Sequence, residues 1–302
     1  MKKVYFTVDI EPIVSKRSFN PTILTNVMLG SIYIAQELQA RNQKATFFVS
    51  LSPKTPGLSF TEYTRYIRTL LTSLKPFKNI RLEPHLHVQG IPMPFNTDND
   101  FFSAYNNEQA TQLLHWAKKE FEQLGIETAA FRPGGFKLSG GYYDALKTAG
   151  YKYSSILNPQ KPDISFVTGH FEPAKVEQQA NGITEYPVTG IEVKSIKGTR
   201  EVINLSPDFF TIDSVKDYLH KMDYININFH SFSVFSNRFA RENHNGQLWN
   251  NIKYLLLEKP ANSLCKKAGI ELINKNTLFR KEFIRWIDFL EENKFTTYFI
   301  GE

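Results

Sequence analysis

Stretches in which apolar residues fall at every second position, or run together, recur along the chain at 3–10, 45–51, 79–88, 127–132, 151–156, 183–189, 200–205, 224–230 and 295–300. Such runs predict β-strands. Apolar residues spaced at three and four predict helices over 22–41, 61–74, 107–124, 139–149, 213–222, 245–257 and 277–293. Asp213 and Thr277 are placed to cap two of these helices, and Gly125 and Gly150 stand just beyond the ends of two others. Strand and helix alternating through most of the chain predicts an α/β fold with a mostly parallel sheet or barrel. No Pro/Gly/Ser-rich linker or shift of composition divides it, so one domain over 1–302 is expected. Two long connections interrupt the alternation: 89–106, with Pro92, Pro94 and a polar Asn/Asp cluster, and 157–182, with Pro159, Pro162, Pro173 and Gly182. Loops of that length often shape a site.

Of 302 residues, 41% are hydrophobic and 22% charged, which supplies a core and excludes a disordered chain. No segment approaches the roughly 20 consecutive apolar residues of a membrane-spanning helix. Met1-Lys2-Lys3 runs straight into a strand rather than an apolar leader, so a cytoplasmic location is expected. Cys265 is the sole cysteine; it excludes an internal disulfide and a Cys-x-x-Cys site and is expected to be an inert thiol. The net charge of +6 is scattered, with no basic run interleaved with aromatics, which suits anionic small molecules better than nucleic acid.

Candidate chemistry follows from the same period-two geometry. In the first strand Val4, Phe6, Val8 and Ile10 share one face, so Asp9 and Glu11 point together to the other. In the third, Leu82, Leu86 and Val88 oppose Glu83, His85 and His87. Two imidazoles and a carboxylate form a common catalytic set for Zn²⁺. A hydrogen-bonded surface pair is the other reading of His85 and His87. Arg132 closes a short strand before Pro133-Gly134-Gly135; it suits a bidentate pair with a carboxylate, or a solvent-facing turn. His230 ends the strand 224–230, as a general acid or as a structural residue. All four groups fall at C-terminal strand ends, which collect on one rim in parallel α/β folds.

In chain order, Thr7-Val8-Asp9-Ile10-Glu11-Pro12, Ala45-Thr46-Phe47-Phe48-Val49, His85-Leu86-His87, Phe131-Arg132-Pro133-Gly134-Gly135 and Phe229-His230-Ser231 resemble the motifs of the NodB-type polysaccharide deacetylase family. The resemblance is strongest to its WbmS-like branch, found with O-antigen and surface-polysaccharide genes. It covers about residues 3–230, while 231–302 carries no motif. It implies a distorted (β/α)7 barrel of the polysaccharide deacetylase type holding one divalent metal ion, with zinc expected. The implied reaction is hydrolysis of an N- or O-acetyl group on a sugar or on a nucleotide- or lipid-linked glycan precursor. Asp9 matches the general base, Arg132 the arginine that steadies it and His230 the general acid; Glu11, His85 and His87 match the metal ligands. The chain departs from the family in having Asp-Ile-Glu for adjacent aspartates and His-Leu-His for His-Ser/Thr-x-x-His. The family's Asp- and Trp-containing motif has no clean equivalent.

Two other functions stand beside this one: a catalytically silent barrel that binds a saccharide or sugar nucleotide, and a hydrolase of non-sugar amides. Of the remaining polar residues, His115 and Trp116 are read as packing or surface residues, and His170 and His220 match no motif. Glu185 ends a strand and is a candidate substrate or supporting residue or a plain strand-end charge. His244, Arg238 and Arg241 are candidates for substrate contact or a solvated face.

Overall fold

The structure is a computed structural model that describes residues 2–12, 21–52, 58–136, 140–158, 177–178, 181–194, 200–234 and 279–302. The first half contains β1 (Lys3–Ile10), α1 (Pro21–Ala40), β2 (Ala45–Ser50), α2 (Phe60–Leu74), β3 (Ile80–Leu86), α3 (Asn107–Glu122), β4 (Ala130–Pro133) and α4 (Tyr142–Thr148). There follow β5 (Tyr153–Ser154), β6 (Glu177–Gln178), β7 (Thr184–Glu185), β8 (Gly190–Lys194) and β9 (Arg200–Asn204). The last are α5 (Ile212–Lys221), β10 (Tyr224–His230), α6 (Phe279–Glu292) and β11 (Thr296–Tyr298).

Seven of these strands form one parallel path, in the order β10-β1-β2-β3-β4-β5-β7, and β11 pairs in parallel with β1 beside it. The sheet curls until the chain after β7 meets β10. There the Thr189 N–H donates to the Asn226 carbonyl (3.0 Å) and the Asn226 N–H donates to Thr189 Oγ1 (2.8 Å). Tyr224 Oη adds a bond to the Pro187 carbonyl at 2.8 Å. The result is a distorted (β/α)7 barrel whose last seam is held by a loop rather than by a regular ladder. β10 occupies one edge of β1 from Lys3 to Asp9, so β11, on Lys3–Tyr5, and β2, on Thr7–Ile10, follow one another along its other edge.

Both faces of the barrel strands are buried, and each face has its own core. Outward-facing Val4, Phe6, Val8, Phe47, Val49, Ile225, Ile227 and Phe229 pack under the helices. Those helices supply amphipathic faces, such as Tyr63, Ile67, Leu70, Leu71 and Leu74 of α2. A capping box between Ser59 and Glu62 starts α2, and one between Asn106 and Gln109 starts α3. Inward-facing Tyr5, Phe48, Ala130, Tyr186, Tyr224 and Ile300 fill the lumen as a second cluster. The polar face of β1 therefore looks into the barrel and not into water, and Thr7 and Asp9 are 0% and 2% exposed.

Several expected boundaries shift. The expected strand 200–205 is β9, which pairs with β8 as an antiparallel hairpin outside the barrel. Of 183–189 only Thr184–Glu185 is strand, because the residues after it bond to β10 irregularly. Thr211 rather than Asp213 occupies the N-cap of α5, and Asp213 lies in its first turn. Gly125 and Gly150 do take left-handed backbone, at φ 65° and 76°. Thr277, the expected helix 245–257, His170, Arg238, Arg241, His244 and Cys265 lie outside the described residues. No helix among the described residues is long and apolar enough to cross a membrane.

Two buried carboxyls serve the barrel frame. Glu83 Oε2 accepts the N–H groups of Ala129 and Ala130, both at 2.9 Å, at the start of β4, and burial pushes its carboxyl up to about 8. Glu185, fully buried, accepts the N–H groups of Ile156 (2.7 Å) and Leu157 (3.0 Å) on Oε1 and the Tyr143 hydroxyl on Oε2 (3.2 Å). It ties down the chain after β5. Burial raises its carboxyl above the ordinary range, against the hydrogen bonds that lower it. The stability that its protonated form contributes is present below the ordinary carboxylate value and is lost as pH rises through the raised one. Glu185→Gln keeps the two backbone bonds on its amide oxygen and reverses the third, its NH2 donating to the Tyr143 hydroxyl oxygen as a protonated carboxyl would. Urea unfolding from pH 5 to 9 is expected to show the wild type losing up to ~1.4 kcal/mol per pH unit relative to this variant over part of that range. Parallel stability curves would contradict the assignment.

Candidate active site

The register of the parallel strands brings the expected residues to one rim. Asp9 lies opposite His230 of β10 on one side and Phe48 of β2 on the other, and His85 of β3 lies opposite Arg132 of β4. Glu11 and His87 stand one residue beyond β1 and β3. All six are gathered: Arg132, Asp9, His85 and His87 are 0–2% exposed, Glu11 is 8% exposed and the His230 side chain 19%.

Arg132 fixes the floor of the site. Its Nη1 donates to Asp9 Oδ1 at 2.6 Å, its Nη2 to Ser155 Oγ (2.7 Å) and Thr7 Oγ1 (3.0 Å), and its Nε to the Ser155 carbonyl (2.9 Å). The guanidinium also lies 4.2 Å from the ring centre of Phe48. The solvent-facing reading of Arg132 is thereby excluded. Asn228 Nδ2 donates to Asp9 Oδ2 at 3.2 Å, so both carboxylate oxygens are held.

Above this floor Glu11, His85 and His87 present donor atoms that all lie within 4.8 Å of one another. His85 Nε2 is 3.2 Å and His87 Nε2 2.6 Å from Glu11 Oε2. On its other side His85 Nδ1 lies 3.0 Å from the Arg132 carbonyl. A carbonyl only accepts, so Nδ1 carries the proton and Nε2 turns its lone pair toward the carboxylate. Burial lowers the His85 pKa, more than Glu11 and Asp9 raise it, which keeps the ring neutral. A neutral imidazole lone pair facing a carboxylate oxygen is repulsive unless a cation lies between them. Two imidazoles and one carboxylate match the donor set of a divalent ion such as Zn²⁺. The donors fit the metal, and a hydrogen-bonded surface pair does not describe two histidines that are 2% exposed.

His230 Nε2 stands 3.6 Å from Glu11 Oε1, and its Nδ1 lies 3.4 Å from Asp208 Oδ2. The ring stacks on Phe232 at 4.7 Å. The segment after it packs on α1 so closely that a Cβ on Gly30 would fall 2.2 Å from the Ser231 carbonyl oxygen. Gly134 does the same for His87, since a Cβ there would lie 2.4 Å from the imidazole Nδ1. The glycines after Arg132 are thus explained by close approach at Gly134 and by left-handed backbone at Gly135, φ 66°.

The sequence did not single out Asp208, Asp100, Asn228 or Ser155. Asp208 belongs to a Ser206-Pro207-Asp208 turn whose only signal was turn chemistry, with the Asp208 N–H donating to Ser206 Oγ at 3.0 Å. Asp100 was visible only as part of the polar cluster in 89–106. His115 is exposed and Trp116 packs against Phe60, as expected; His220 is exposed beside Phe289 and Phe295.

The sequence matches no family model and no curated protein. Among solved structures, a 4-α-glucanotransferase from Thermococcus litoralis is 12% identical with a TM-score of 0.53, over 99% of this chain and 39% of that one. A Mycobacterium smegmatis protein assigned as a polysaccharide deacetylase is 14% identical with a TM-score of 0.48, over 94% and 91%. A Bordetella bronchiseptica protein, WbmS, assigned as a polysaccharide deacetylase in O-antigen biosynthesis, is 10% identical with a TM-score of 0.45, over 94% and 90%. At these identities the likeness is one of fold, and this chain spans about two fifths of the glucanotransferase.

Removing one partner of a buried ion pair leaves an uncompensated charge and costs about 3–5 kcal/mol. Arg132→Met is expected to lose stability on that scale in urea. Arg132→Met combined with Asp9→Asn is expected to recover a large part of it, because no charge remains buried. Equal losses in the single and double variants would show that packing, and not the Asp9 charge, is what Arg132 serves.

Proposed function

We propose that the protein is a metal-dependent hydrolase that removes an acetyl group from a carbohydrate precursor of a surface polysaccharide. The observation that carries this reading is the convergence of Glu11, His85 and His87, with the held carboxylate of Asp9 on one side and the Asp208-backed imidazole of His230 on the other. The motif order described above directs the chemistry to an N- or O-acetyl sugar, nucleotide- or lipid-linked.

Glu11, His85 and His87 would hold a divalent ion, which when bound would supply Lewis-acid polarisation of the acyl carbonyl and of the attacking water. Asp9 takes the proton of the attacking water. Its Oδ1 is engaged by Arg132, so Oδ2, whose partner is the neutral Asn228 amide, is the oxygen that receives it. Water oxygen bonds to the acyl carbon, and the bond from that carbon to the sugar nitrogen or oxygen breaks. His230 hands its Nε2 proton to the departing amine or alcohol. Asp208, facing Nδ1, stabilises the imidazolium that must precede this transfer. The sugar leaves with its proton, and acetate takes the water oxygen.

The test is acetate release from a panel of N- and O-acetylated sugars and sugar nucleotides by the zinc-loaded protein, beside Asp9→Asn. Wild type is expected to release acetate. Asp9→Asn is expected to lose about 10²–10⁴-fold in kcat with its metal content unchanged. Metal lost in Asp9→Asn would make Asp9 a ligand and not the base. No acetate from any sugar, with release from non-sugar amides, would move the substrate outside carbohydrates.

A further inference from the structure

His85 and His87 are oriented by different means. A strand carbonyl, that of Arg132, holds His85. His87 lies beyond β3, and its Nδ1 meets the carboxylate of Asp100 at 2.7 Å, thirteen residues further along the chain. The intervening loop is built to return that carboxylate. The Val88 N–H donates to the Asp100 carbonyl (3.3 Å), the Gly90 N–H to Thr97 O (3.2 Å) and Thr97 Oγ1 to Ile91 O (2.8 Å). Beyond Asp100, the Phe101 N–H donates to Asn99 Oδ1 at 3.0 Å and Tyr105 Oη bonds to Asn99 O. The Gly134 backbone closes on the ring's flank.

We propose that Asp100 is the positioning residue of the metal centre: it holds His87 as the Nδ1–H tautomer with Nε2 aimed at the shared metal position. This rests on the metal-dependent reading above and deepens it. A carboxylate on the far nitrogen of a metal-binding histidine fixes the tautomer and makes the near nitrogen a stronger donor. Two histidines at i and i+2 share a face only while the chain stays extended, and His87 stands one residue beyond β3, where the carboxylate of Asp100 meets its Nδ1.

The test uses the full chain loaded with Co²⁺. Affinity is measured by competition with a chelator, and the exchangeable Nδ1–H protons of metal-bound histidines are read as paramagnetically shifted NMR signals. Wild type is expected to show two such protons, from His85 and His87. Asp100→Ala is expected to bind Co²⁺ about 10–100-fold more weakly and to lose one of the two signals to solvent exchange. Asp100→Asn, whose amide oxygen still accepts the bond, is expected to keep both signals and to lose less affinity. Asp98→Ala, which removes an exposed charge from the same loop, is expected to change neither. If Asp100→Ala keeps wild-type affinity and both signals, or if Asp98→Ala weakens binding equally, the positioning role is overturned while the metal centre stands. If the wild type binds no Co²⁺, the metal-dependent reading falls and this inference with it.

Discussion

The site depends on one buried residue used twice. The Arg132 side chain crosses the lumen to hold Asp9, and its main-chain carbonyl fixes the tautomer of His85. The side chain thus sets the carboxylate proposed as base, and the backbone sets a histidine proposed as ligand. Such a guanidinium is tolerated at 0% exposure because Asp9, Thr7 and Ser155 take up its donors and Phe48 covers its face. β4 is only four residues long, and this one side chain links it to β1, β5 and the seam at Asn226, which meets Ser155 and Thr7. A change at Arg132 is therefore felt by the fold and by the chemistry together.

The lumen explains why a polar stripe on a strand means something different here from what it means in an ordinary sheet. In an open sheet the polar face of β1 would meet water. In the barrel it faces the lumen, where Thr7 bonds to Asn226 and Arg132, and Asp9 to Arg132 and Asn228. Aromatic residues fill the other end of the lumen, around Tyr5, Tyr186 and Tyr224. Asp9, Glu11, His85, His87 and His230 stand at the C-terminal strand ends.

Period-two alternation made the shared faces of Asp9 with Glu11 and of His85 with His87 legible, because strand geometry relates residues two apart whatever the fold. Alternating strands and helices gave the α/β class, and parallel pairing then brought the strand ends to one rim. What stayed hidden depends on chain returning from a distance. Asp208 comes from a turn before α5 and Asp100 from the end of a long loop, and neither has a spacing relation to the histidine it faces. Asn228 reads in sequence as an ordinary inward position of β10, and only the register with β1 places it on Asp9. Alternation gave β9 at 200–205 and left out its partner β8, and it cannot tell a barrel strand from a strand paired outside the barrel.

The central claim is that Glu11, His85 and His87 hold one divalent ion. X-ray absorption on the zinc-loaded full chain reads that coordination sphere directly. The account predicts one zinc per chain, with two imidazole nitrogens at about 2.0–2.1 Å and the remaining positions filled by oxygen. Zinc with no imidazole scattering, or a protein that retains no zinc after desalting, would contradict it.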